Sequence, residues 1–355
     1  MRCYTNPLLS GLVHTHVGQP CNLALVSGTY PPGYHLTLLR GDDGTPFSDP
    51  GEQERLWGRR WGAVDEVGRL RSVLVRSPRG EFGLVREDAW RDDAGALVDP
   101  DGLWYWEDTR APDLELVAEQ HRGLLDALRA EGVEVVEVEG DLPRHITTPI
   151  YTRDPLVTVP GGAIIGRLEP YKRRGEEPLV ARALAELGMP ILATIHGTGL
   201  VEGGSFVKLT PTLAAFGTSF RCNDEGAEQL RAAIRPLGIE LIVVPLSPYS
   251  IHIDAHLGML APDLAIIDPL GLPWWFVDRL HELGIETVPC IPDEEWAINS
   301  LVLSPRRVLM CDAYPRTAQR LATHGVEVLP IPYAEIQKGG GGVHCSTMEL
   351  VRDPA

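Results

Sequence analysis

A pattern of two short strands, a helix and a third strand recurs along most of this 355-residue chain. Apolar, β-branched runs predict strands at 156–159 and 163–165 around a Pro160-Gly161-Gly162 turn, then a helix at 179–187 and a strand at 191–195. The same order returns at 206–209, 213–216, 225–234 and 239–244. It returns again at 257–260, 264–267, 274–283 and 285–290, and once more at 301–303, 308–311, 315–323 and 326–331. An earlier copy is incomplete, with a strand at 72–75, a helix at 114–130, a strand at 133–138 and no second strand evident beside the first. One such unit cannot bury both faces of its strands, so the units must share a core. Five of them arranged about an axis would close on themselves and leave no edge to pair. An open α/β sheet without symmetry is the alternative. The expected fold class is therefore α/β, built of five ββαβ units with pseudo-fivefold symmetry. Residues 61–355 are expected to form the catalytic domain. The Gly- and Pro-rich residues 1–60, which end near Trp57 and Trp61, are expected to be an extension that packs on it or lids it.

The net charge of −17 argues against nucleic acid or an anionic membrane as partner, and it favours a small cation. With 44% hydrophobic and 23% charged residues, the composition is that of an ordinary globular chain. No apolar run is long enough to span a bilayer, and Met1-Arg2-Cys3-Tyr4 leads into no apolar signal segment. Cys3, Cys21, Cys222, Cys290, Cys311 and Cys345 show no paired spacing, which suits reduced thiols in the cytoplasm. A homo-oligomer is compatible with all of this.

The phase of the polar residues within the repeat points to a site. Asp154 precedes the first strand of one unit, Glu202 that of the next, and His252 with Asp254 that of the third, roughly fifty residues apart each time. Cys345 follows the last predicted strand, where a further unit would begin. Rotation of the units would bring all of these to one end of the axis, which is what a catalytic pocket requires. Cys345 follows Gly339-Gly340-Gly341-Gly342-Val343-His344, a run that lets backbone approach a ligand closely. His252 alternates with Ile251 and Ile253, and Asp254 shares its face and could orient its ring. Asp154, Glu202 and Asp254 would repel one another unless a cation lay between them. A guanidinium, planar and rich in donors, matches carboxylates in both charge and shape. Two metal readings stand beside this one, His14 with His16 and the string His252-x-Asp254-x-His256.

Tyr151-Thr152-Arg153-Asp154-Pro155, Glu202-Gly203-Gly204, His252-Ile253-Asp254 and Gly341-Gly342-Val343-His344-Cys345 together resemble the motifs of the guanidino-group-modifying superfamily. That superfamily includes arginine deiminases, dimethylarginine dimethylaminohydrolases, agmatine deiminases and amidinotransferases. The resemblance runs from about Trp61 to the C-terminus. It implies a five-bladed α/β propeller (pentein) in which Cys345 attacks the guanidinium carbon of a small guanidino substrate. By the same resemblance His252 protonates the departing amine and then activates water, Asp154 and Glu202 grip the guanidinium nitrogens, and Asp254 supports the site. Tyr151 joins them in binding substrate, and neither a cofactor nor a metal is implied. Arg173 and Arg221 match by spacing two arginines that hold the substrate carboxylate in arginine deiminases; a structural ion pair such as Arg173 with Glu176 or Glu177 is the alternative. The chain departs from the deiminase pattern at Thr148 and Ser205, in the glycines that replace an arginine before the cysteine, and in the lack of room for a helical insertion. His252-Ile253-Asp254-Ala255 and the segment before Cys345 lean toward amidinotransferases, whereas Glu202-Gly203-Gly204 and Arg221 lean toward hydrolases. Hydrolysis of arginine or a derivative is the expectation, with amidino transfer to an amine as the alternative. A metal-dependent hydrolase and a non-catalytic binding module are the rival classes.

Overall fold

The computed structural model describes residues 46–143 and 145–355. Cys3, Cys21, His14, His16 and the part of the expected extension before Pro46 lie outside the described residues.

One rule builds five three-stranded sheets: an antiparallel hairpin, then a helix, then a strand parallel to the second. Leu156–Val159 and Gly162–Ile165 form the hairpin of one unit, helix Glu176–Leu187 follows, and Ile191–Thr194 completes the sheet. Phe206–Thr210, Leu213–Thr218, helix Asp224–Ile234 and Glu240–Pro245 repeat the order. Leu257–Ala261, Leu264–Ile267, helix Trp274–Glu282 and Glu286–Pro289 do so again. Leu301–Ser304, Arg307–Cys311, helix Pro315–Thr323 and Glu327–Ile331 make the fourth set. The strand missing from the incomplete copy comes from the far end of the chain. Met348–Arg352 pairs antiparallel with Leu70–Val75, which pairs parallel with Glu134–Glu137 across helix Leu114–Ala130.

The middle strand of each sheet is flanked on both sides, so its residues are buried on both faces. Ala163, Ile164 and Ile165, or Leu264 to Ile267, are apolar without alternation for that reason. The third strands are half exposed, and the helices turn side chains such as Leu230, Ile234, Phe276 and Leu280 inward. Asp113 and Asn223 start two of the helices by accepting backbone N–H bonds. No described helix is long and apolar enough to cross a membrane.

Two features were not legible beforehand. A small sheet of Trp90–Arg91, Leu97–Val98 and Tyr105–Trp106 occupies the segment between Val75 and Leu114. The compact unit also begins at Pro46, ahead of the boundary expected after residue 60. Helix Pro50–Trp57 is fastened to it by the buried Gln53, which donates to the Gly161 carbonyl (2.7 Å) and accepts from the Trp61 N–H (2.8 Å).

The first strands carry polar residues into the interior. Lys208 donates through Nζ to the Thr158 carbonyl (3.2 Å) and pairs with Glu66 (2.9 Å) and Glu349 (3.1 Å); Glu349 also pairs with Arg153 (2.7 Å). Burial alone would raise the Glu349 carboxyl, but Arg153, Lys208 and Arg352 hold it well below the usual range. Removing one partner of a buried ion network leaves the others uncompensated, at about 3–5 kcal/mol. Glu349→Ala is expected to lose stability by that amount in urea unfolding; a loss within about 0.5 kcal/mol, typical of surface changes, would show that Glu349 does not hold these charges.

Candidate active site

Asp154, Glu202, His252 and Asp254 each stand just before the first strand of a unit, and Cys345 stands just before Met348–Arg352. The topology brings them together. Tyr151, Asp154, Arg173, Arg221, His252, Asp254, Asn299 and Cys345 line one cavity of about 230 Å³. Glu202, fully buried, lies behind His252 and Arg221.

Glycines set how closely these groups approach. A Cβ on Gly204 would stand 2.6 Å from His252 Nδ1 and 3.0 Å from Asp154 Oδ1; one on Gly203 would stand 2.1 Å from the Arg153 carbonyl oxygen. The Glu-Gly-Gly motif therefore exists because the turn after Glu202 passes directly under the histidine ring. Before Cys345, a Cβ on Gly342 would meet Asn299 Oδ1 at 2.6 Å, and Gly340 has φ near +96°, a conformation few other residues adopt.

The His252 ring is gripped through both nitrogens. Nε2 lies 2.7 Å from Glu202, and Nδ1 lies 3.6 Å from Asp154 and 4.0 Å from Asp254. Burial opposes protonation, but Asp154, Glu202 and Asp254 outweigh it and raise the imidazole above its ordinary value. The ring is thus oriented chiefly by Glu202, and Asp254 is closer to His344, whose Nδ1 lies 2.8 Å from Asp254 Oδ2. Cys345 is buried, with Sγ 3.9 Å from Asp254 Oδ2. Burial, then Asp254 and Asp154, push its thiol well above the ordinary range. Asp154 falls to about 2: burial would raise it, but His252, Arg173 and Arg221 together lower it more.

Both arginines bond acids of the site. Arg221 meets Glu202 through two bonds (2.9 and 2.7 Å). Arg173 meets Glu176 through two (2.9 and 2.8 Å), and it also bonds Asp154 and the Tyr151 carbonyl (2.9 Å). The ion pair with Glu176, the alternative reading of Arg173, is thus formed, and both arginines still face the cavity. The Tyr151 hydroxyl donates to the Ile336 carbonyl (2.9 Å), so that side chain shapes the wall with its ring. Glu202 has both oxygens engaged, which leaves Asp154 Oδ1 and Asp254 Oδ1 as the cavity's more available acceptors.

For a metal, the string with His256 does not converge: His256 bonds Asp268 (2.9 Å) and Ser250 (2.7 Å). Ligand atoms of Asp154, Glu202 and His252 do lie within 4.8 Å of one another. Arg173 and Arg221 already bond those carboxylates, so a dication there would face two fixed positive charges. The donor set suits a singly charged organic cation better.

Asn299 is the site residue that the sequence reading missed. It precedes Leu301–Ser304 at the phase of Asp154, Glu202 and His252, and the same step of roughly fifty residues reaches it.

Gly204→Ala is expected to push the His252 ring aside and lower turnover by ~10²-fold, the usual cost of displacing a reacting group by about 1 Å. Steady-state kinetics beside a thermal melt would check this; unchanged turnover would mean that the ring needs no such close seat.

A family model described as N,N dimethylarginine dimethylhydrolase, eukaryotic, matches residues 106–352. A dimethylarginine dimethylaminohydrolase of Streptomyces coelicolor is 31% identical over 240 residues, 67% of this chain and 87% of that protein. The solved dimethylarginine dimethylaminohydrolase of Pseudomonas aeruginosa, in complex with citrulline, superposes with a TM-score of 0.64 at 22% identity, covering 79% of this chain and 99% of the other. An amidinotransferase from Microseira wollei gives 0.67 at 18% identity, covering 83% and 98%. These two likenesses establish the fold, the α/β pentein fold of such enzymes.

Proposed function

This chain belongs to the dimethylarginine dimethylaminohydrolase family, and from that premise we propose that it hydrolyses a C–N bond in the guanidinium group of arginine or an arginine derivative. The five sheets are taken as blades closing about one axis, with the site at one end. The observation that carries the reading is the meeting of Cys345, His252, Asp154 and Asp254 on one cavity, with Glu202 behind the ring.

Charge explains why the substrate is a cation. With Glu176 ionised, four acids (Asp154, Glu202, Asp254 and Glu176) face three cations (Arg173, Arg221 and a protonated His252), an excess of one negative charge. A guanidinium seated against Asp154 and Asp254 relieves it. It also offsets the two carboxylates that, after burial, hold the Cys345 thiol protonated, and so makes the thiolate easier to form. The thiol proton passes to solvent as the cation binds, and the Cys345 thiolate attacks the central carbon to form a tetrahedral adduct. Protonated His252 gives its proton to the leaving amine, the C–N bond breaks, and an amidino group remains on sulfur. Neutral His252 takes a proton from water, the resulting hydroxide attacks the same carbon, and the sulfur departs to leave a urea. If an amine resolved the intermediate in place of water, the same site would perform amidino transfer, the reading that His252-Ile253-Asp254 and the segment before Cys345 favour.

Incubation with arginine, its N-methylated forms and agmatine, followed by mass spectrometry, tests the reaction. Citrulline with ammonia or a methylamine is the expected product. Product formed only when an amine acceptor is added would replace hydrolysis by transfer. Cys345→Ser is expected to abolish turnover, a loss on the order of 10⁶-fold for a covalent nucleophile, while wild type accumulates an adduct on the Cys345 peptide. An adduct mapped to another cysteine would sink the assignment.

Arg221→Ala separates two roles of one guanidinium. Losing the Glu202 contact loosens His252, so turnover should fall on every guanidino substrate. If Arg221 also reads a carboxylate, arginine should lose roughly a further 10-fold in kcat/KM relative to agmatine, the worth of one charged hydrogen bond. Equal losses on both would assign Arg221 to Glu202 alone.

A further inference from the structure

We propose that Asn299 is a catalytic residue whose side-chain amide donates a hydrogen bond to the Cys345 sulfur and stabilises it as a thiolate. The inference rests on the reading of Cys345 as nucleophile.

Asn299 holds the nucleophile at several points. Its Oδ1 accepts the backbone N–H of Cys345 (3.1 Å), its Nδ2 lies 3.1 Å from Cys345 Sγ, and its carbonyl accepts the N–H of His344 (3.2 Å). The side chain is itself buried, on the wall of the cavity. The orientation of the amide follows from chemistry. A backbone N–H can only donate, so the oxygen of the amide must face it. The NH₂ group is thereby turned toward Sγ and toward Asp254 Oδ2, 3.5 Å away. A flipped amide would set N–H against N–H and oxygen against a carboxylate. Gly342 leaves the room for this clamp, since a Cβ there would overlap Oδ1.

The sulfur needs such a donor. Burial, then Asp254 and Asp154, favour the neutral thiol, and the Asn299 amide acts in the opposite sense, ahead of a backbone bond at Gly342. In the proposed reaction the sulfur is anionic twice, before it attacks and as it leaves. A fixed neutral donor stabilises the anion at both points and adds no positive charge that would repel the guanidinium. An arginine or lysine in its place would do so.

The test needs no guanidino substrate. Iodoacetamide alkylation of Cys345, followed by mass spectrometry of its peptide across pH, gives the thiol pKa directly. Loss of one hydrogen bond to a charged group should raise that pKa by roughly 1–2 units in Asn299→Ala. Asn299→Asp keeps the acceptor for the Cys345 N–H but faces the sulfur with a carboxylate oxygen, so it should raise the pKa at least as far. It also supplies the measurement if the alanine variant does not fold. An alkylation profile unchanged in the folded variants, even with turnover reduced, would overturn the proposal and leave Asn299 as a backbone clamp. The reading of Cys345 as nucleophile fails by a different result, activity that survives Cys345→Ser.

Discussion

The pairing of Met348–Arg352 with Leu70–Val75 is the constraint on which the site depends. That pairing supplies the first strand of the remaining unit, so every unit contributes the same antiparallel strand pair. It also determines where Cys345 sits. The cysteine lies just before this strand, in the position that Asp154, Glu202 and His252 occupy in their own units. A C-terminal strand docked anywhere else would leave the carboxylates and the histidine assembled without Cys345. That ladder is itself braced, since Glu349 within it pairs with Arg153 and Lys208.

Four units could be read from the chain because their middle strands are buried on both faces and are bounded by turn residues. Helix Trp274–Glu282 and strand Leu257–Ala261 differ from expectation by a residue or so at their ends. The remaining unit resisted because its partner strands lie at opposite ends of the sequence, and Glu349 and Arg352 break the apolar run of one of them. The small sheet between Val75 and Leu114 resisted for another reason. Two-residue strands such as Trp90–Arg91 carry no periodicity at all.

The site was legible through phase more than through residue type. Asp154, Glu202 and His252 stood out because acids and a histidine recur at one point of the repeat. Asn299 occupies that same point, but an asparagine before a strand reads as a turn former, and nothing in the chain says that its amide meets a sulfur. The pairing of charges was the other hidden layer. Spacing alone places Arg173 and Arg221 near the pocket. The Arg173–Glu176 pair is open as an alternative from the sequence; the bond to Asp154, the Arg221–Glu202 pair and the closeness of Asp254 to His344 come only with the folded chain.

These charges bear on which ligand the site accepts. Burial, then Asp254 and Asp154, favour a protonated Cys345 thiol, and the carboxylates overcome burial to favour a protonated His252 imidazole. On the reaction proposed above, a guanidinium seated between Asp154 and Asp254 offsets the two carboxylates that add to burial in holding the thiol protonated. A neutral molecule of the same shape offsets neither, so the acids that seat the cation would also favour it over an uncharged isostere.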